Sequence, residues 1–153
     1  MTDPIRKTVS VPLPPDEAFR VFTADMSLWW PVETHSLSAS SGERPKSVHV
    51  DAHEGGHITE VKADGARANW ATITKWQPGE KFEFDWYVGR DPSEATCVSV
   101  TFLADGADTI VTLIHDGFDR LGAQGAQMAA NYNTGWDGVL GERFGGYCRK
   151  AAA

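Results

Sequence analysis

Residues 5–11 (IRKTVSV) set Ile5, Lys7, Val9 and Val11 against Arg6, Thr8 and Ser10, a period of two that predicts a short strand. Pro12, Pro14 and Pro15 end it, and the pattern changes. Ala18, Phe19, Phe22 and Met26 fall at helical spacing behind Pro15 and the acids Asp16 and Glu17, which predicts one or two short helices running to Trp30. Pro31 disfavours helical geometry at Trp30 and closes the segment. Residues 32–46, rich in Ser, Gly and Pro, form a loop long enough to carry function.

Alternation then returns. SVHVDAHEGGHITEV places a glycine turn (Glu54, Gly55, Gly56) between two runs of period two, a hairpin signature. ARANWATITKW and EKFEFDWYV flank Gln77-Pro78-Gly79, and TCVSVTFLA and TIVTLIHDGF flank Ala-Asp-Gly-Ala, so six consecutive antiparallel strands are expected. Over residues 124–149 the period moves to about 3.6, with Met128, Tyr132, Trp136, Val139, Leu140 and Tyr147 on one stripe of a long helix. Gly135, Gly138, Gly141, Gly145 and Gly146 each weaken that helix by about 1 kcal/mol relative to Ala when exposed, so close packing offsets them or the helix bends there. Strand, short helices, six strands and a long helix imply an α+β domain, an antiparallel sheet with its helices on one face. No repeat or linker divides the chain, and residues 1–153 are read as one domain.

With 153 residues the chain is long enough to bury about 70% of the surface its unfolded form would expose. Net charge is −7, and the Lys and Arg residues stand singly rather than in runs, which argues against nucleic acid and anionic membranes as partners. The first residues (MTDPIRKTVSV) lack the apolar core of a signal peptide, and no stretch is apolar for the eighteen or so residues of a membrane span, so a cytoplasmic protein is expected. Cys97 and Cys148 are too few for a disulfide framework or a zinc site and read as reduced, packed thiols. Composition is otherwise ordinary, except that six tryptophans make indole chemistry prominent.

The phrases FRVFTADMSLWWPVETHSL, GGHITEV, WATITKWQPGEKFEFDW, VTFLADGADTIVTLIHDGF and GWDGVLGERF occur in that order and cover nearly the whole chain. Through them the sequence resembles the homologues of the activator of the 90-kDa heat-shock protein ATPase, within the superfamily of START lipid-transfer domains, birch-pollen-type allergens and polyketide cyclases. The resemblance implies the helix-grip fold, a curved antiparallel sheet wrapped around a long C-terminal helix, with two short helices after the first strand. Such folds often enclose a cavity for an apolar or amphipathic ligand. Eukaryotic activators carry a separate N-terminal chaperone-binding domain, whereas this chain starts straight into its first strand, so a chaperone is the least supported partner.

Strand alternation puts Phe82, Phe84, Trp86 and Val88 on one face, and Trp70, Thr72, Thr74 and Trp76 together on the preceding strand. Two indoles with two hydroxyls suit the wall of a cavity, with Tyr132 and Trp136 facing them from the helix. The alternative is that these rings fill the space between sheet and helix. A bulge in the fourth or fifth strand would exchange the inward and outward sets. Trp29 and Trp30 lie about 100° apart on a helix and cannot both face the same way. One is expected to anchor the helix and the other, Trp30, to roof a binding site beside His35, unless both simply support the terminal helix. His49, His53 and His57 flank a hairpin, and His49 and His53 would be about 13 Å apart on one strand face, too far to share an ion. No metal site and no cofactor are expected.

A small apolar or aromatic ligand is therefore expected between sheet and helix. Trp70, Phe84, Trp86, Tyr132 and Trp136 would give apolar contact under Trp30, and Thr72, Thr74, His35 and His115 would give polar handles. His115 reads either as a hydrogen-bonded wall residue or as an acid–base group. No nucleophile elbow, phosphate loop, dinucleotide fingerprint or metalloprotease motif occurs. The rival functions are a polyketide cyclase/dehydratase-like or hydrolase-like enzyme using His115 or His35 as proton carrier, and a chaperone-associated protein-binding module.

Overall fold

The computed structural model describes residues 3–152. Seven strands form one sheet in the order β1-β7-β6-β5-β4-β3-β2: β1 (Ile5–Val11), β2 (Ser47–Val50), β3 (His57–Val61), β4 (Arg67–Gln77), β5 (Lys81–Trp86), β6 (Thr96–Asp105) and β7 (Asp108–Asp116). All neighbours are antiparallel. The turns expected from glycine are where the sequence puts them, Gly79 and Gly106 adopting φ of +77° and +63°. Two short helices, α1 (Pro15–Ala24) and α2 (Met26–Trp29), follow β1. Pro15 lies in the first turn of α1 with Asp16 and Glu17, whose charges suit the helix N-terminus. This is the α+β, helix-grip-like arrangement, a curled sheet with a long C-terminal helix.

That helix runs without a break from Gly125 to Ala152 but does not wind uniformly. An α-helical stretch, α3 (Gly125–Trp136), passes into a π-helical one (Asp137–Phe144) and then into α4 (Gly145–Ala152). The irregularity lies in the glycine-bearing segment where propensity is weakest, and the departure is a widened winding. It also shifts the buried stripe. After Trp136, Val139 and Leu140 the inner positions are Phe144 and Cys148, while Tyr147 is half-buried and donates its hydroxyl to Asp25 at 3.1 Å.

Two bulges in β4 correct the simple alternation. Between β3 and β4 the register jumps from Ile58↔Ala71 to Thr59↔Asn69, leaving Trp70 as the extra residue, and against β5 it jumps from Ile73↔Phe84 to Lys75↔Glu83, leaving Thr74 extra. Trp70 and Ala71 are consequently both buried, Ile73 is inward, and Trp76 regains the inner side opposite Phe82. Thr72 and Thr74 are displaced from the inner face. Thr72 bonds the Tyr87 hydroxyl at 2.9 Å on the outer surface of the sheet, and Thr74 is exposed.

On β5 the alternation holds: Phe82, Phe84 and Trp86 are inward and buried, and Val88, beyond the strand, is half-buried. The buried side chains form one continuous cluster from β1 to the terminal helix.

Candidate functional site

The site is built around the end of α2. Trp29 keeps helical geometry and turns inward, donating its Nε1–H to the Val21 carbonyl at 3.0 Å and packing on Phe22 and Phe144 with centroids 5.0 and 5.1 Å away. Trp30 leaves the helix in extended conformation (φ −64°, ψ 134°), as the following proline favours. Its ring therefore goes elsewhere, between sheet and terminal helix, 5.5 Å from Trp70, 5.6 Å from Trp86 and 5.9 Å from Trp136. The chain then turns back: the His35 N–H donates to the Pro31 carbonyl, and Trp30 Nε1–H donates to the His35 carbonyl, both at 2.8 Å. This fold-back sets His35 above the indole.

Trp30 thus occupies the space in which a sheet–helix hollow was expected. Trp70 and Phe84 are sealed beneath it, and Trp86 is buried beside them. What remains open is a cleft of about 240 Å³ between the 31–37 loop and the terminal helix, walled by Trp30, His35, Met128, Tyr132, Gly135 and Trp136 and floored toward Val139. The structure brings Trp30, His35, Tyr132 and Trp136 to this cleft. It sets Trp70, Phe84 and Trp86 behind it as packing, and it leaves Thr72 and Thr74 on the other side of the sheet.

His115 is fully buried behind the cleft wall. Its Nδ1 accepts the Trp136 indole N–H at 3.0 Å, which fixes the proton on Nε2, and Nε2–H donates to Thr96 Oγ1 at 2.7 Å. Thr96 passes the chain on to the Trp86 carbonyl at 3.3 Å. Burial holds the His115 pKa down to about 3, so it is a neutral wall residue that sets the angle of the Trp136 ring. Tyr132 is pinned similarly: its hydroxyl accepts the Trp86 indole N–H at 2.9 Å, its ring lies stacked on Trp136, and burial raises its pKa. Both rings facing the cleft are thereby held from behind by hydrogen bonds.

The loop has a latch that sequence reasoning missed. Glu60, on β3, is fully buried and accepts four hydrogen bonds: from Leu37 N–H at 2.8 Å, Ser38 N–H at 2.9 Å, the Ser38 hydroxyl, and Trp70 Nε1–H at 3.0 Å. Desolvation pushes its pKa up, but these donors outweigh that and hold it below the usual carboxylate value. The available signal was its phase, since Glu60 shares a strand face with the buried Ile58. A second tie joins Glu33 to Arg143 on the terminal helix. His35 itself is exposed, its Nδ1 2.6 Å from Thr34 Oγ1, and its pKa is lowered chiefly by partial desolvation.

Among the described residues no group of three His, Cys, Asp or Glu side chains is arranged to hold a metal ion, and no helix is long and apolar enough to cross a membrane. His49 pairs with Asp51 at 2.9 Å, and His53 bonds the Glu54 carbonyl at 2.9 Å. Cys148 is buried, with its thiol raised to about 12 by burial, and Cys97 is half-buried on β6.

The fold has counterparts in solved structures. An anthrahydroquino-gamma-pyrone synthase, Txn09, solved as a complex, superposes with TM-score 0.65 at 25% identity over 95% of this chain and 96% of that one. CalC, a self-sacrificing resistance protein from Micromonospora echinospora, gives TM-score 0.69 at 24% identity over 98% and 96% of the two chains, which shows the shared fold. DynU16, from the dynemicin biosynthetic locus, gives 0.65 at 21% identity, with this chain spanning 47% of its length. No curated protein matches the sequence. The model of one family matches residues 12–147, from the end of β1 into α4. The chain belongs to the Activator of Hsp90 ATPase homolog 1-like protein family.

Proposed function

We propose that the protein binds a small aromatic or apolar molecule in the cleft between the 31–37 loop and the terminal helix, its rings against Trp136, Tyr132 and Trp30. The observation that carries this reading is an open, ring-walled concavity whose indole and phenol are held by buried hydrogen bonds, a preorganised apolar surface facing solvent. A fully packed protein gains nothing from leaving that space unfilled. The likeness to a synthase named for an aromatic product supports an aromatic ligand. At about 240 Å³ the cleft lies under the range of about 300–1,000 Å³ usual for drug-sized ligands and fits one or two rings.

Gly135 supplies the test. It lines the cleft on the helix, and a Cβ there would come no nearer than 3.9 Å to His35 Nε2. Gly135→Leu projects a branched side chain into the cleft and removes a helix glycine, worth about 1 kcal/mol in its favour. With 2-naphthol as probe, wild type should bind in calorimetry, and at 100 times Kd the ligand should add about 2.7 kcal/mol of stability. Gly135→Leu should melt no lower than wild type and lose binding at least about tenfold, the equivalent of about 1.4 kcal/mol. Equal binding by the variant, or no binding by wild type, overturns the assignment.

One observation favours catalysis on the same ligand as a second reading. His35, the ionisable side chain with a lowered pKa at the cleft rim, is a neutral imidazole placed to take a proton. His115 has both ring nitrogens committed and lies out of reach. For a chaperone-type partner the supporting sign is a contiguous apolar face; the large exposed apolar side chains among the described residues are Leu28 on α2 and Leu103 on β6.

A further inference from the structure

The ring-walled cleft does not end at Met128. That half-buried side chain is also a wall of a wide, polar groove of about 770 Å³, whose other walls include Leu37, Asn69, Arg90, Asp91 and Glu94. Between them lies a recess of about 10 Å³ that shares Tyr132 and Met128 with the cleft, and Val88, Arg90 and Glu94 with the groove. Three concavities in a row, with one unbranched, adaptable methionine common to all of them, make a single elongated depression divided by a movable partition. The apolar end alone is smaller than an ordinary ligand site; joined to the groove it reaches the upper limit of the usual range, at about 1,000 Å³.

The groove's chemistry differs in kind from the cleft's. Arg90 donates to Glu94 at 3.2 Å and to Gln124 at 3.0 Å, while the carboxylate of Asp91 accepts from the Ser93 N–H at 2.9 Å. One cation and two carboxylates make the lining net negative, so an anionic ligand group is repelled. Donors (Arg90, the Asn69 amide) and acceptors (Asp91, Glu94) line the same groove, a set that neighbouring hydroxyl groups satisfy because each both donates and accepts.

Resting on the cleft reading above, we infer that the ligand is an aromatic molecule carrying an uncharged polyhydroxylated arm. The ring sits in the cleft, and the arm passes over Met128 into the Arg90–Glu94 groove. Arg90 is then a specificity residue that the ring does not touch.

Calorimetry with three probes tests this: 2-naphthol, 2-naphthyl β-D-glucopyranoside and 2-naphthyl sulfate. The glucoside should bind wild type roughly tenfold more tightly than the naphthol, the equivalent of one or two net hydrogen bonds, and the sulfate no more tightly than the naphthol. Arg90→Ala should bring the glucoside down to the naphthol's affinity and leave the naphthol unchanged. If the naphthol binds but the glucoside gains nothing, or the sulfate binds tightest, the extension is wrong and the cleft reading stands. If the naphthol itself does not bind, both fall.

Discussion

Glu60→Gln removes one charge and no volume, and it is the most direct probe of how the loop over the cleft is held. Glu60 Oε1 accepts from Leu37 N–H and Trp70 Nε1–H, and Oε2 accepts from Ser38 N–H and the Ser38 hydroxyl. A glutamine must point its NH₂ at one of these pairs. At the Oε1 position the NH₂ faces two fixed donors. At the Oε2 position only Ser38 N–H is stranded, since the serine hydroxyl can turn and accept, so the amide adopts that orientation. One buried donor is then left unsatisfied, at about 1–3 kcal/mol, and the bonds that remain lose their charge assistance. A total of about 3 kcal/mol follows, which for a chain of this size is about 6–12 °C in Tm.

The signature is local as well as global. Leu37 and Ser38 amide exchange should accelerate more than exchange at β6 and β7, because the latch alone is loosened. The pH dependence carries a definite sign. The Glu60 pKa is lowered from 4.5 in the folded protein, so near and below that value the unfolded chain takes up a proton more readily than the native one. The carboxylate's contribution is present above pH 4.5 and is lost as pH falls through the folded pKa. The stability gap between wild type and Glu60→Gln, from urea denaturation at a series of pH values, should therefore narrow on acidification. A variant as stable as wild type at pH 7, unchanged exchange at Leu37 and Ser38, or a gap that widens with acid would refute the latch.

His115, with its folded pKa near 3 against an ordinary 6.5, should show imidazole NMR shifts that stay flat from pH 8 down to about pH 4; its neutral form contributes stability above pH 6.5 that declines between pH 6.5 and about 3, as the unfolded chain protonates first. A titration midpoint near 6.5 would show that the imidazole is open to water. The two adjacent tryptophans should separate by assay. Trp29→Phe loses the Val21 bond and core packing and should cost about 2–4 kcal/mol with little change in 2-naphthol affinity, whereas Trp30→Phe releases the His35 carbonyl and should weaken the probe several-fold beyond its effect on Tm. Equal effects of both substitutions on binding would refute the division of labour.

The fold was legible because its signals are local. Proline ends, glycine turns and the change of period at residue 124 fall within short windows, and each maps onto an observed boundary. That Trp29 and Trp30 face different ways was legible too, from helix geometry and Pro31. The face of β4 was not, since a bulge depends on two partner strands at once: the jumps at Trp70 and Thr74 are matched by nothing distinctive in ARANWATITKW. Thr72 and Thr74 were assigned inward on a period that two insertions had reset. The depth of the cavity was equally hidden, because composition reveals how many rings the interior holds but not that Trp30 swings in and fills the centre. Glu60 shows the complementary case, a residue whose register was readable but whose partners, some 22 residues earlier in a loop, were not.

The glycines of the terminal helix show why a cleft exists on that face at all. Gly145 is closely packed: a Cβ there would lie 3.3 Å from Val9 Cγ2 and 3.2 Å from Arg149 Nη1, so these side chains would have to give by a few tenths of an ångström where α4 meets β1. Gly138 and Gly141 meet nothing within 4 Å, and packing does not explain them. Gly135 differs from both. It has room for a methyl group and faces His35, so alanine would fit and would stabilise the helix by about 1 kcal/mol. A larger residue would occupy the space between Trp136 and the 31–37 loop. The concavity is thus left open in part by the side chain that this position lacks, and it is bounded by rings whose polar atoms are tied down behind it. Stability alone would favour alanine at this position, and on the proposed reading the roughly 1 kcal/mol forgone is offset by ligand binding in the space left open.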